Sequence, residues 1–547
     1  VRQHLILFIN GREHRIAGAD AFLTVSDFLR LRLKLCGTKI VCSEGDCGSC
    51  TVLCGRCSPV TVPDQHEFVY VPIDSCIRFM FQLDGCHLIT VEGLSGIAKS
   101  GPQQTESKAT SSGHCNMAKN CGTKPALNGV QQAMIECHGS QCGFCTPGFV
   151  VAMTGLLESN PQPTEDDWRH GLTGNLCRCT GYSPIIRAGE TSNRANTPPL
   201  NELYPASEML AKLAAAADEE FQIDFRHDAS VQPISADQLV YSPKTIKQAT
   251  DFLATHPKAI IVAGATDIGV RFNKGTLTTK PTLPLAKPQP MIWLDLTRVE
   301  KLRSLSIESD TITAGACASW SDMEQLAKQQ FPEFHKIVAV FGSPQIRHVG
   351  TIGGNIINAS PIADSVPFLF VCDAELEISS RSGTRTVNIN DFYLGYKQFD
   401  LRPGELLTRI TIPLPPKTSQ PSRAASNEQL RLYKVSRRRD LDISTFTAAI
   451  RITLDGDTIT RAAIAYGAVG PVVLRLPETE SFLQGKTFTL ATMQQAGDHA
   501  VQEITPLSDV RGGEAYRFQL ARNVLLKFFH ECRNENERER HSAGVCL

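Results

Sequence analysis

A multidomain α+β architecture is what this chain predicts, from three observations. Its 547 residues exceed what one hydrophobic core organises. Fifteen of its nineteen cysteines lie before residue 180, so the first third is built differently from the rest. Beyond about residue 233 strands alternate with helices, and cysteines become rare. Hydrophobic residues at 42% and charged residues at 20% describe a globular chain, and a net charge of −1 excludes a nucleic-acid polyanion as main partner. No apolar run approaches the roughly eighteen residues of a membrane span, so no membrane is expected. The apolar part of Val1 to Phe8 is too short for a secretory signal and reads as a first strand. Cysteines without such a signal are expected to ligate metal in a reducing cytoplasm rather than to form disulfides.

Leu5 to Asn10 alternates, Asn10-Gly11 marks a hairpin, and His14 to Ile16 returns. Thr24 to Asp27 is a capping box opening a helix through Leu33, with Val25, Phe28 and Leu29 on one face. Then comes Cys42-Ser-Glu-Gly-Asp-Cys47-Gly-Ser-Cys50, with a distant fourth cysteine at Cys76. This is the plant-type spacing for a [2Fe–2S] cluster, whose two irons need four thiolates. Glycines in the loop suit a backbone that folds tightly around the sulfides. The alternative is zinc on the pairs Cys47/Cys50 and Cys54/Cys57, but only three residues separate them, fewer than zinc sites usually use. Cys54 and Cys57 are therefore expected as strand-edge or buried thiols. Thr51 to Leu53 continues as a strand, Pro72 to Cys76 leads to the fourth ligand, and His87 to Gly93 closes the domain.

Residues 98–124 have linker composition, and Cys115 and Cys121 in them are expected to be exposed thiols. Val130, Met134 and Ile135 suggest a helix ending near His138. Gln141-Cys142-Gly-Phe-Cys145-Thr-Pro147-Gly follows, with Thr146 expected to cap a helix whose face is Phe149, Val150, Met153, Leu156 and Leu157. Asn160-Pro161 stops it, and Thr164 to Asp167 caps the next. Gly174-Asn-Leu-Cys177-Arg-Cys179-Thr-Gly then adds a second cysteine pair. Four thiolates from two helix ends favour an anionic cluster. A thioredoxin-type redox pair would need a strand ahead of Cys142, and none is visible; zinc remains the other alternative, although C-x-C pairs are unusual for it. Cys137 is left over as a small apolar side chain. Residues 191–232, with Pro198-Pro199 and Ala211 to Ala217, read as a surface connection.

Thr245 to Ala254 is a helix, and the strand Ala259 to Val262 runs into the small-residue turn Ala263-Gly-Ala-Thr-Asp267-Ile-Gly269. Such a turn can present N–H groups to a pyrophosphate, though an ordinary strand-to-helix turn explains it equally well. A second turn is expected at Thr351-Ile-Gly353-Gly354-Asn355, and two such turns suit a long dinucleotide. Phe341 by itself reads as a core aromatic and Arg347 as a solvated charge. Asn388 to Phe392 and Leu406 to Pro413 close this region before a loop from Pro415 to Ser426. Strand Leu430 to Ser436, a solvated bend from Arg437 to Asp442, the Asp455-Gly456 hairpin joining Ala448 to Leu454 with Thr458 to Ala465, and helices near Leu490 to Ile504 and Ala515 to Phe529 make a last α/β unit. The tail 533–547 is expected to fray.

Taken together, the two cysteine motifs, Gly264-Ala-Thr-Asp267 and Gly353-Gly-Asn-Ile356 resemble the iron–sulfur and flavin part of the molybdenum hydroxylases, and within them the small subunit of bacterial xanthine dehydrogenases. The resemblance covers about residues 3 to 530. It implies a ferredoxin-like β-grasp [2Fe–2S] domain (1–97), the linker (98–124), a helical [2Fe–2S] domain (125–190), the connection (191–232), a vanillyl-alcohol-oxidase-type FAD-binding domain (233–418) and a C-terminal α/β flavoprotein domain (427–532). One cluster falls on Cys42, Cys47, Cys50 and Cys76, the other on Cys142, Cys145, Cys177 and Cys179. FAD contacts fall on Ile261, Val262, Ala263, Gly264, Ala265, Thr266, Asp267 and Ile268, on Phe341, on Thr351, Ile352, Gly353, Gly354 and Asn355, and on Asp364, Leu407 and Lys434. Phe341 is implied to border the isoalloxazine where nicotinamide docks. Ser43 and Asp46 depart from the glycines common in the first cluster loop of animal members. The family's molybdopterin region has no counterpart after Phe529, so hydroxylation is expected to need a molybdopterin-binding large subunit, in a heterotetramer of two small and two large chains. Electrons would then pass through two [2Fe–2S] clusters to FAD and to NAD⁺. Another molybdenum hydroxylase, acting on an aldehyde or N-heterocycle, and a stand-alone iron–sulfur flavoprotein reductase are the alternatives.

Overall fold

The computed structural model describes residues 1–57, 67–94, 127–225, 237–277, 290–308, 310–414 and 428–544, with side chains to residue 534. The expected linker at 98–124, with Cys115 and Cys121, lies outside the described residues, as does the whole loop Pro415 to Ser426. The chain forms two compact units. One is Arg2–Glu219 with Gly269–Thr278; the other is Glu220–Ile268 and Thr279–Leu547 with Val1.

The first unit opens on β1 (Leu5–Ile9) and β2 (Arg12–Ile16), joined antiparallel through Asn10 and Gly11, which both take positive φ. With β3 (Thr51–Cys57), β4 (Phe68–Asp74) and β5 (His87–Ile89) they form a sheet of order β2-β1-β5-β3-β4. β1 runs parallel to β5, and every β1 side chain is buried because both faces of the sheet are covered. Thr24 caps the following helix as expected, but only Val25–Asp27 is α-helical; Phe28–Arg32 widens into a π turn, which ends the element before Leu33. The other face packs on the helices Gly129–Glu136, Thr146–Ser159, Glu165–Gly171 and Ser183–Thr191, so Leu53, Tyr70 and Ile89 share one core with Met134, Phe149, Met153 and Trp168.

Two expectations are corrected here. Much of the segment 191–232 is not a surface connection, since Leu200, Tyr204, Met209 and Leu213, on the helices Leu200–Leu203 and Ala206–Ala214 and between them, are buried in that core. Apolar residues at helical spacing inside a polar, Ala-rich composition hid this role. Thr146 does not cap its helix either: Cys145 is the N-cap, and the Thr146 hydroxyl donates to Ser140 Oγ at 2.8 Å.

In the second unit, β6 (Phe221–Phe225), β7 (Gln238–Ser242), β8 (Ile260–Val262) and β9 (Met291–Asp295) form a sheet of order β6-β7-β9-β8, with β7 and β8 parallel to β9. Thr245 caps the helix Ile246–Thr255 that crosses between β7 and β8. A second, antiparallel sheet has the order β10-β11-β16-β12-β13, from β10 (Leu305–Ile307), β11 (Thr311–Gly315), β12 (Glu375–Ser380), β13 (Gly383–Asn388) and β16 (Leu406–Pro413), with the ribbon β14 (Tyr393–Gly395) and β15 (Gln398–Phe399) beside it in sequence. Last come β17 (Glu428–Val435), β18 (Phe446–Asp455), β19 (Thr458–Gly467) and β20 (Leu474–Arg475), packed on the helices Leu490–Ala500 and Glu514–Gly544. The tail expected to fray from 533 continues that last helix to Gly544. Among the described residues no helix is long and apolar enough to cross a membrane.

Candidate functional site

The loop from Cys42 to Cys50 carries three positive-φ residues, Ser43, Gly45 and Gly48. Only a backbone with that freedom turns tightly enough to bring its cysteines to one place, and Ser43 pays strain for it. Cys47, Cys50 and Cys76 are buried and Cys42 is half-buried. Cys42 Sγ accepts from the amides of Glu44 (3.4 Å) and Asp46 (3.5 Å). Contact with Cys47 and then Cys76 holds the Cys42 thiol well below its ordinary value; contact with Cys42 pushes Cys47 and Cys76 above theirs, while Cys76 lowers Cys50. A chain of pairwise contacts from Cys47 to Cys42 to Cys76 to Cys50, with backbone donors aimed at one sulfur, fits an iron–sulfur cluster. Ser75 Oγ donates to Cys50 O at 2.6 Å, tying the segment that carries Cys76 to the loop. Burial raises the Asp74 carboxyl, whose Oδ1 lies 3.6 Å from Cys50 Sγ.

In the second set, Cys142 contacts Cys179 and Cys145 contacts Cys177. Cys142 and Cys179 are exposed, whereas burial pushes half-buried Cys145 up to about 12. Tyr182, in a left-handed conformation, accepts the Cys177 amide on its hydroxyl at 3.1 Å and shapes the loop between the two cysteines. Among the described residues, no three His, Cys, Asp or Glu side chains converge as a single bound metal ion requires; these thiols meet pairwise.

The two cysteine loops are joined directly. The Leu176 amide, one residue before Cys177, donates to Cys47 O at 3.0 Å, and buried Asn175 donates from Nδ2 to Gly48 O at 3.0 Å and Thr51 Oγ1 at 3.3 Å. Gly48 and Gly148 allow this approach, since a β-carbon would meet Gly174 O at 2.3 Å and Gly48 O at 2.2 Å. The motifs contained Asn175 and Gly148, but nothing in their spacing said that they clasp the other loop.

In the second unit the 263–267 turn follows β8 with Ala265 at φ +63°. A β-carbon on Gly264 would meet Val349 O at 2.2 Å, so the two regions expected to hold the dinucleotide do come together. The second is not a turn. Thr351 is the N-cap of the helix Ile352–Asn358, and the amides of Ile352, Gly353, Gly354 and Asn355 donate to Ala318 O, Ala316 O, Thr351 Oγ1 and Thr351 O. Those N–H groups are all hydrogen-bonded within the protein. Gly353 is there because a β-carbon would strike Ala316 O at 2.5 Å.

Lys434 and Asp364 form a buried pair at 2.6 Å, and Lys434 Nζ also donates to Asp442 O and Ser444 Oγ, both at 2.8 Å. Leu407 is buried on β16. Phe341, half-buried, packs its ring on Trp320 at 5.1 Å. Arg347 is no solvated charge: at 3% exposure it pairs with Glu324 at 2.9 Å and donates to the carbonyls of Phe341 and Gly342, and burial lowers its pKa. Its helix Pro344–Arg347 is what turns the guanidinium inward to brace the Phe341 segment.

Three family models match the chain: a [2Fe-2S] binding domain over residues 117–190, the FAD binding domain in molybdopterin dehydrogenase over 231–415, and the CO dehydrogenase flavoprotein C-terminal domain over 431–532. Curated relatives include the xanthine dehydrogenases of Drosophila subobscura (27% identical) and Oryza sativa subsp. japonica (28%), and the aldehyde oxidase of Homo sapiens (27%). Each alignment covers 96% of this chain and 39% of the relative, so the chain spans about two fifths of their length.

Proposed function

Because the chain belongs to the molybdenum hydroxylase family and carries its [2Fe–2S] and FAD-binding domains, we propose that it is the electron-transfer subunit of a xanthine dehydrogenase. In this reading Cys42, Cys47, Cys50 and Cys76 hold one [2Fe–2S] cluster, and Cys142, Cys145, Cys177 and Cys179 a second. FAD lies along residues 261–268 and 351–355, near Phe341, Asp364, Leu407 and Lys434. When bound, these groups supply single-electron transfer at the clusters and two-electron hydride chemistry with NAD⁺ at the flavin. The observation that carries the reading is the bond from Leu176 N–H to Cys47 O, which joins the two thiol sets through one hydrogen bond and a few covalent ones.

The chain's own residues bind and orient. Gly264 lets the 263–267 turn lie against Val349, Thr351 fixes the start of the adjoining helix, and the Lys434–Asp364 pair holds β17 to the segment before the helix Val366–Val371. Phe341 borders the face where nicotinamide docks. The hydroxylating molybdopterin belongs to a large partner subunit, two of each chain forming a heterotetramer, and the sixteen free thiols among the described residues suit a reducing cytoplasm. An aldehyde or N-heterocycle in place of a purine is the second reading, favoured by aldehyde oxidases as similar to this chain as the xanthine dehydrogenases are.

The test is to purify the chain from its native source and measure metals, flavin and activity. About four irons per flavin, negligible zinc, a co-purifying molybdenum-containing chain, and NAD⁺-dependent hypoxanthine turnover only when both chains are present are expected. Full turnover by the isolated chain would overturn the subunit assignment, and preference for an aldehyde would replace the purine.

A further inference from the structure

The residues that follow the 263–267 turn leave the unit in which that turn lies. Gly269–Thr278 is part of the unit that holds both cysteine sets. Within that unit it grips the two backbone segments that carry the first thiol set. Gly269 lies so close to Ile77, next to Cys76, that a β-carbon would meet Ile77 O at 2.3 Å. Phe272 sets its ring edge-on to Phe79 at 5.1 Å. Asn273 Nδ2 donates both its protons, one to Ser43 O at 2.9 Å and one to Cys76 O at 2.8 Å. Lys274 pairs with Glu44 at 2.7 Å.

The bonds from Asn273 have a particular geometry. Ser43 is the strained, left-handed residue beside Cys42, and Cys76 is a thiol of the same set 34 positions further along the chain. One amide therefore bridges the Cys42 and Cys76 ends of the set, beside the bond from Ser75 Oγ to Cys50 O that ties the Cys50 end. It also polarises the carbonyl of a ligand residue, which alters the field at its sulfur. An ordinary surface asparagine does neither.

We propose that Gly269–Lys274 is a clamp on the first cluster and that Asn273 is its positioning residue, setting the geometry and the electronic environment of the Cys42/Cys76 side of that cluster. This rests on reading those cysteines as ligands. The chain enters the clamp directly from the turn assigned to the flavin.

The test uses the full chain with Asn273→Ala and the near-isosteric Asn273→Asp, which cannot donate. The first-cluster signal is identified as the electron paramagnetic resonance signal that Cys76→Ser removes, and the second cluster serves as internal standard. Both Asn273 variants are expected to shift the g values and midpoint potential of the first cluster and to raise its rate of iron loss to a chelator at least threefold. The second cluster's signal and rate stay at the wild-type values. Unchanged first-cluster signals and rates in both variants would overturn the clamp, as would equal damage to both clusters, which marks a general loss of folding. A wild-type chain without paired iron signals would instead sink the ligand assignment itself.

Discussion

At the scale of single residues, the side chains that shape the candidate sites are mostly those that tie segments together. Asn175 is buried and spends its amide on Gly48 O and Thr51 Oγ1. Replacing it with alanine removes both bonds, at about 1 kcal/mol each, while Gly48 O keeps the Thr51 amide and hydroxyl as donors. Asn175→Ala is expected to broaden or lose both cluster signals together, read by low-temperature paramagnetic resonance, and intact signals would assign the clasp to the backbone alone. His87 offers a pH test. Its Nε2 accepts the Gly11 amide at 3.0 Å, its Nδ1 lies 2.7 Å from the Tyr70 hydroxyl, and burial pushes it down to about 3. An unfolded imidazole takes its proton near 6.5, so between those values the unfolded chain binds more protons than the folded one. Stability therefore falls as pH drops below about 6.5, by up to about 1.4 kcal/mol per unit. Urea midpoints of wild type and His87→Gln at pH 6.5 and 5 check this: the wild type should lose more, and parallel losses would refute it.

At the scale of elements, the helix Ile352–Asn358 shows how a local pattern misleads. Thr-Ile-Gly-Gly-Asn looks like a loop because glycine breaks helices, yet Thr351 caps a helix there and Gly353 serves the close approach of Ala316. Thr351→Val keeps the shape and removes the cap. It is expected to cost about 1 kcal/mol and to weaken flavin retention several-fold, measured by denaturant unfolding and by released flavin fluorescence. Retention at wild-type affinity would dissociate this helix from the flavin. Arg347 corrects a similar misreading, because the sequence shows a charge while only the packing of Glu324 beside it says that the charge is buried.

At the scale of the whole molecule, all eight cysteines proposed as cluster ligands lie in one compact unit and the proposed flavin contacts in the other. A chain of this kind does not unfold in one step. Calorimetry is expected to show at least two transitions, and stripping iron should lower only one of them. A cross-link across the segment from Cys42 to Cys76 is worth about 4 kcal/mol, roughly 10 °C in a unit of this size. A single transition indifferent to iron would contradict both the division and the ligation.

The sequence by itself determined the cysteine spacings, the Asn10-Gly11 hairpin, the caps at Thr24 and Thr164, the helix after Thr245, and the change from a cysteine-rich to a cysteine-poor region. These are local: they depend on neighbours within a turn or two, or on a donor set that chemistry constrains to a few spacings. The tertiary structure alone decided that Leu200 to Leu213 lines a core, that Asn175 and Leu176 clasp the first loop, that Asn273 grips Ser43 and Cys76, and that Arg347 faces inward. Each joins residues tens of positions apart or turns on how closely elements pack, and a hydrogen bond or a close approach between distant segments leaves no period and no spacing in the chain that makes it.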